Sequence, residues 1–350
     1  MKTTIGGVLT ATMICVSGMI AQTPAAPAPQ AAVGTAPSRM FLDVVVTRKG
    51  GGAPVAGLAQ QDFTILDNGM KQPVTSFKAF DDSNAPVEVI VVIDEVNASY
   101  LTVSVERSQI DKFLRANGGK LEYPTALAFF SEIGTQIQPG FSRDGNALSS
   151  DLDHQVVALR GIRRSAGLYG AAEQMERSIK TLNQLAAREG TRPGRKIILW
   201  ISPGWAILTG PHVYISAGQQ KLIYSSVIRM SNTLGKAGVT VYSIDPAGAA
   251  NVGYGTYYYK NFVKGVRSPQ QTDFGDLSLQ VLATQSGGLV LNTSNDVAGQ
   301  MRKAIEDTKA YYAMSFDPAQ GEPDEYHRIE MKVSEPGLVA RTRSGYYAQQ

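Results

Sequence analysis

Val87-Glu88-Val89-Ile90-Val91-Val92-Ile93-Asp94 is the stretch that decides the fold: every position before the closing aspartate except Glu88 is Val or Ile. A run apolar on both faces reads as a central strand of a parallel sheet with helices on either side. Ligands of such sheets gather at the carboxyl ends of the strands, where Asp94 stands. The same rhythm continues on either side. Ser99–Ala116 has Leu101, Val105, Ile110, Phe113 and Leu114 near helical spacing, and Asn117-Gly118-Gly119 ends it. Tyr123–Phe130 is a second apolar strand, with Thr135–Phe141 as its hairpin partner. From Leu168 to Ala186 apolar residues recur at three- and four-residue steps, which predicts an amphipathic helix. Ile197–Ser202 and Val239–Asp245 are further buried strands with a helix around Gln219–Lys236 between them. Leu277–Gln285 reads as a helix, Gly288–Leu291 as a last strand, and Asn295-Asp296 as the cap of a helix reaching about Ala310. Strand and helix in alternation predict a doubly wound, mostly parallel, Rossmann-like α/β domain over 87–310.

Outside that region the pattern is all β. Residues 40–80 hold three short strands punctuated by Gly50-Gly51-Gly52 and the tight-turn signal Asp67-Asn68-Gly69. Residues 311–348 hold three more, too few to stand alone. The two ends are expected to pair into one small accessory β domain.

Residues 1–21, with Lys2 before an apolar stretch, read as a secretory signal, and 22–39 as an extended Pro/Ala-rich tether. The single cysteine, Cys15, falls in the signal, so the exported chain is expected to carry no disulfide or thiol chemistry. The 350 residues are 43% apolar, enough for a sizeable core, and a net charge of +3 excludes the basic footprint of a nucleic-acid binder. The expected location is the periplasm, the cell envelope or outside the cell.

Taken together, "MFLDVVVTRKGG", "DFTILDNGMKQPVTSF", "VEVIVVIDEVNAS", "AGLYGAAEQM", "RKIILWISPG", "YYAMSFDP" and "VARTRSGYYA" resemble the von Willebrand factor A (vWA)-like domain proteins, closest to the exported VWFA-related group described from acidobacteria. The resemblance covers most of the chain after the tether. It implies a metal-ion-dependent adhesion site, in which carboxylate and hydroxyl oxygens hold Mg²⁺ with one position open for a partner. Of the five ligand positions only Asp94 matches. Val96 and Ala98 stand where the two serines belong, Ala166 at the threonine and Pro203 at the second aspartate, and none offers a side-chain oxygen. Asn97, Ser99, Ser165 and Ser202 flank the gaps. The site therefore reads as degenerate, with no cofactor expected, and Asp94 as the cap of the following helix. The alternative is a metal-dependent adhesin holding Mg²⁺ or Ca²⁺ on Asp94.

No catalytic motif stands out: there is no Gly-x-Ser-x-Gly elbow, P-loop or HExxH. His154, His212 and His327 read as surface residues, and Asp81-Asp82 and Glu306-Asp307 as solvated pairs. A hydrolase using Asp94, Glu95, Asp245 and Asp273 is a remote third reading. Two loops at the carboxyl edge, Trp205–Ser216 and Gly253–Lys264, are rich in aromatics. Trp205, Tyr257 and Tyr258 are the expected contacts for a protein or peptide partner in the cell envelope, in a protein that is not an enzyme.

Overall fold

The computed structural model describes residues 39–81, 85–155, 167–205, 214–248, 257–318 and 321–349, the side chains of 167–169 excepted. All lie in one unit, Pro37–Gln350. The chain runs β1 (Met40–Arg48), β2 (Phe63–Asp67), β3 (Met70–Gln72) and β4 (Ser76–Asp81) before β5 (Val87–Asp94) and α1 (Tyr100–Leu114). Then come β6 (Lys120–Ser131), β7 (Gly134–Ile137), β8 (Ser142–Asp144), α2 (Gly145–His154) and α3 (Gly167–Glu189). β9 (Arg195–Ile201), α4 (Ala217–Ala237), β10 (Val239–Ile244), α5 (Leu279–Gln285), β11 (Val290–Leu291) and α6 (Val297–Glu306) follow. β12 (Ala310–Phe316), β13 (Tyr326–Val333), β14 (Leu338–Arg341) and β15 (Gly345–Tyr347) close the chain.

The central sheet has the order β11-β10-β9-β5-β6-β7, with β8 also paired to β6. β5, β6, β9, β10 and β11 are parallel, while β7 and β8 join antiparallel. Counted from β5, this is the 3-2-1-4-5-6 order of a doubly wound sheet, with its switch point between β5 and β9. The apolar run of β5 is explained by its two covers. Val89, Val91 and Ile93 meet Ile110, Leu152 and Met301 of α1, α2 and α6. Ile90 and Val92 meet Leu182, Leu234 and Leu282 of α3, α4 and α5. α4 ends where Gly238 turns left-handed at φ 62, a conformation a side chain resists, and β10 starts at the next residue.

The strands from the two chain ends form two antiparallel sheets, β14-β1-β12-β4 and β15-β13-β2-β3. Leu42, Val44, Phe63, Ile65, Tyr312, Met314, Phe316 and Ile329 pack between them. Strands from both chain ends thus pair with each other in antiparallel sheets that flank the central one.

Several details depart from the sequence reading. α2 was not foreseen, although Asp144 caps it through the Asn146 and Ala147 amides and Leu148 and Leu152 are buried. α6 stops at Glu306, and 310 already belongs to β12. The Asp307 expected in a solvated pair is buried. Its carboxylate accepts from the Tyr242 hydroxyl at 2.9 Å and pairs with Arg341, while its carbonyl accepts from buried Arg195 at 3.1 Å. A carboxylate between two guanidiniums offsets charges that would otherwise be costly to bury. His327 is buried too. Its Nδ1 lies 2.9 Å from Asp67 Oδ1, and its ring stacks on Tyr346, whose hydroxyl donates to Asp67 Oδ2 at 2.7 Å. His154 is exposed but closes α2 rather than sitting in a loop. His212 lies outside the described residues.

Candidate binding face at the carboxyl edge of the sheet

Asp94 ends β5 with no exposure to solvent. Its Oδ1 accepts from the backbone amides of Val96 at 3.1 Å and Asn97 at 2.9 Å, an Asx turn that redirects the chain out of the strand. Oδ2 accepts from Asn97 Nδ2 at 2.8 Å and from the Trp200 indole at 2.9 Å. Trp200 reaches this point because β9 pairs with β5 so that Val92 and Trp200 stand opposite, one pleat below Asp94 on the same face. Burial raises the carboxyl pKa, and the bonds from Trp200 and Asn97 oppose that rise. Asp94 does not cap α1. Ser99 does, accepting from the Thr102 amide at 3.1 Å.

Both Asp94 oxygens already accept from N–H donors, which compete with a hard divalent cation for their lone pairs. Beside them, Asn97 Oδ1 is buried with no hydrogen-bond partner among the described residues. Val96 and Ala98 turn inward, Val96 into the apolar layer that holds Trp200 and Trp205. Pro203 follows Ser202, and Ala166 and Ser165 lie outside the described residues. Asn97 Nδ2 also donates to Ser178 Oγ at 2.9 Å, tying the turn to α3.

Beneath the rim lies a group that the sequence reading passed over. Glu106 on α1 is fully buried, and among the described residues neither carboxylate oxygen has a hydrogen-bond partner. Burial pushes its pKa well up, and the negative charges of Asp94, Asp245 and Glu95 add to the effect. Asp245 follows β10 and accepts from the Ala247 amide at 2.9 Å. Asp273 instead caps a short turn through the Phe274 amide at 2.6 Å. The only sequence signal for Glu106 is its register on the face of α1 that carries Val103, Ile110 and Phe113.

The expected partner contacts separate. Trp205 is 2% exposed and packs edge-on against Trp200 at 5.1 Å, so it is a core residue here and not a contact surface. The reason is its position three residues past Ser202, where the chain is still crossing the sheet end. Tyr258 is half-buried. Its hydroxyl donates to Gln280 Oε1 at 2.6 Å, its ring meets Tyr259 and Phe262, and burial raises its pKa to about 12. Tyr257 is 52% exposed, with the Lys260 ammonium 4.3 Å above its ring. Other exposed apolar side chains occupy the same rim. Tyr100, Leu101 and Val105 lie in the first turns of α1, Ile133 in the turn after β6, and Tyr214 and Leu222 at the start of α4.

The sheet order, with its antiparallel edge strand, is that of a doubly wound α/β sheet. The fold is vWA-like. No protein-family model and no curated protein sequence matches the chain. Among solved structures, the vWA-like chain is similar to proximal thread matrix protein 1 of the mussel byssus, at 14% identity and a TM-score of 0.34, covering 63% of this chain and 48% of that one. It is similar to BatB from Bacteroides thetaiotaomicron at 14% identity and a TM-score of 0.32, covering 64% and 98%. The VWA domain of SpRpn10 matches at 14% identity and a TM-score of 0.31, covering 63% and 95%. The chain thus spans about half the length of the mussel protein.

Proposed function

We propose that the chain is an exported, non-enzymatic binding or scaffold protein that grips a protein or peptide of the cell envelope with the carboxyl rim of its sheet, without a bound metal. The observation that carries this reading is the gathering of Tyr100, Leu101, Val105, Ile133, Tyr214, Leu222 and Tyr257, all exposed, on elements that start or turn at that one rim. Exposed apolar side chains gathered at one place mark interaction surfaces, and tyrosines give large contact area at small entropy loss. The degenerate adhesion site fits the same reading. Trp200 and Asn97 satisfy the carboxylate that a cation would hold, so the turn after β5 is fixed by the protein's own donors.

The test begins with capture of a partner from envelope extract by the immobilised protein, followed by purification of that partner and direct titration. Leu101→Ala, Tyr214→Ala and Tyr257→Ala combined should weaken binding at least about tenfold, since truncating central anchors removes a kcal/mol or more each. Chelation with EDTA should leave the affinity unchanged. Equal affinity for the triple variant refutes the rim as the binding face. Loss with EDTA that magnesium restores favours the metal-dependent adhesin instead.

A further inference from the structure

At the opposite edge of the sheet, the chain after β14 passes the carboxyl end of α4 and the start of β10. A cleft of about 40 Å³ opens there, lined by Thr342, Arg343, Ser231, Gly235, Asp43 and Phe41 among others. That is room for about three waters, or for one carboxylate or phosphate group. Arg343 Nε donates to the Gly345 carbonyl at 3.1 Å and Nη2 to the Ser231 carbonyl at 2.9 Å. Among the described residues Nη1 has only the Met40 sulfur, at 3.9 Å. The guanidinium lies so close over α4 that a β-carbon on Gly235 would fall 1.8 Å from Nη1. A larger residue there would have to displace the guanidinium.

Among the described residues no carboxylate forms an ion pair with this cation. Desolvation lowers its pKa to about 10, and the one group that opposes the fall is the Tyr326 hydroxyl, not a carboxylate. Asp43 lines the same cleft but lies 3.9 Å from Arg195. Next to Arg343, Thr342 Oγ1 is buried with no hydrogen-bond partner among the described residues. An unpaired cation and an unpaired hydroxyl beside one small cleft are both unfavourable in isolation and both suited to an oxyanion. At the mouth Phe41 is exposed, and Leu234 and Leu282 complete the wall, so an apolar body could follow the charged group.

We propose that this cleft binds the oxyanion group of a small acid, with Arg343 supplying the charge and Thr342 the hydroxyl donor. The site is independent of the carboxyl rim and does not rest on the function assigned to that rim. The full chain is melted in sodium phosphate, sodium acetate and sodium chloride at matched ionic strength. A saturable rise in Tm over chloride is expected with phosphate, acetate or both, and the anion that works tells a phosphate ligand from a carboxylate. Thr342→Val leaves Arg343 in place and should weaken the apparent affinity about tenfold, the usual result of losing a hydrogen bond to a charged group. Arg343→Met should abolish the rise. Because Arg343 also holds two carbonyls, that variant can fail to fold, and Thr342→Val then carries the test. Melting temperatures equal in all three salts, or a rise untouched by Thr342→Val, overturn the proposal.

Discussion

Replacing Glu106 with glutamine should stabilise the protein, increasingly so as pH rises from 5 to 7. Burial without a hydrogen-bond partner among the described residues, and the charges of Asp94, Asp245 and Glu95, raise the pKa of this carboxyl well above its ordinary value in the folded state. In the unfolded chain it ionises near the ordinary value of 4.5. Folding therefore takes up a proton above that pH. A group whose folded pKa is raised contributes its full stability below the unfolded pKa and loses it as pH climbs toward the folded value. The slope is about 1.4 kcal/mol per pH unit for one proton. Between pH 5 and 7 that slope bounds the loss at roughly 2–3 kcal/mol. Glutamine has nearly the same shape and no proton to lose, so the variant escapes this loss. Burial also raises the pKa of Asp94 and moves that of Asp276 to about 6, but both titrate in parent and variant and largely cancel in the difference. The assay is urea denaturation of both proteins at pH 5, 6 and 7 at constant ionic strength. A stability difference that does not grow with pH would refute the reasoning. So would a variant less stable than the parent at pH 7.

Other consequences can be measured in the same way. Trp200→Phe keeps the ring in the apolar layer but removes the indole donor to Asp94, and should lose about 1–3 kcal/mol in urea denaturation. Asp307→Ala leaves Tyr242 and Arg341 without their shared carboxylate, while the backbone carbonyl still accepts from Arg195, and should destabilise by about 3–5 kcal/mol, read as a fall in the denaturation midpoint. Ser99→Ala removes the cap of α1, for a loss of about 1 kcal/mol, whereas equal loss from capping by Asp94 is not expected. Magnesium titrated into the purified protein by calorimetry should give no saturable heat, because the Asp94 oxygens already accept from protein donors.

The sequence by itself determined the layers. β5 is apolar on both faces from Val89 to Ile93, and both faces need covers, so alternating strands and helices left few arrangements other than a doubly wound sheet. The turn signals at Asp67-Asn68-Gly69 and the short strands at both ends likewise implied a separate β layer, since three short strands cannot bury a face alone. The sequence also located the rim, because strand ends follow from strand limits. It did not reach the state of the groups there. Glu106, Asp307 and His327 are ordinary polar residues in one dimension, and their burial follows from which helix face or strand edge the packing closes over. Asp94's distant partner came from the tertiary structure. Trp200 lies 106 residues away in sequence, and only the pairing of β9 against β5 brings its indole to the carboxylate. The same holds for Trp205, whose aromatic character suggested a contact and whose place against Trp200 made it core. Periodicity reports which faces are covered, a local property. Which donor meets which acceptor depends on strand register between distant segments, which no local pattern encodes.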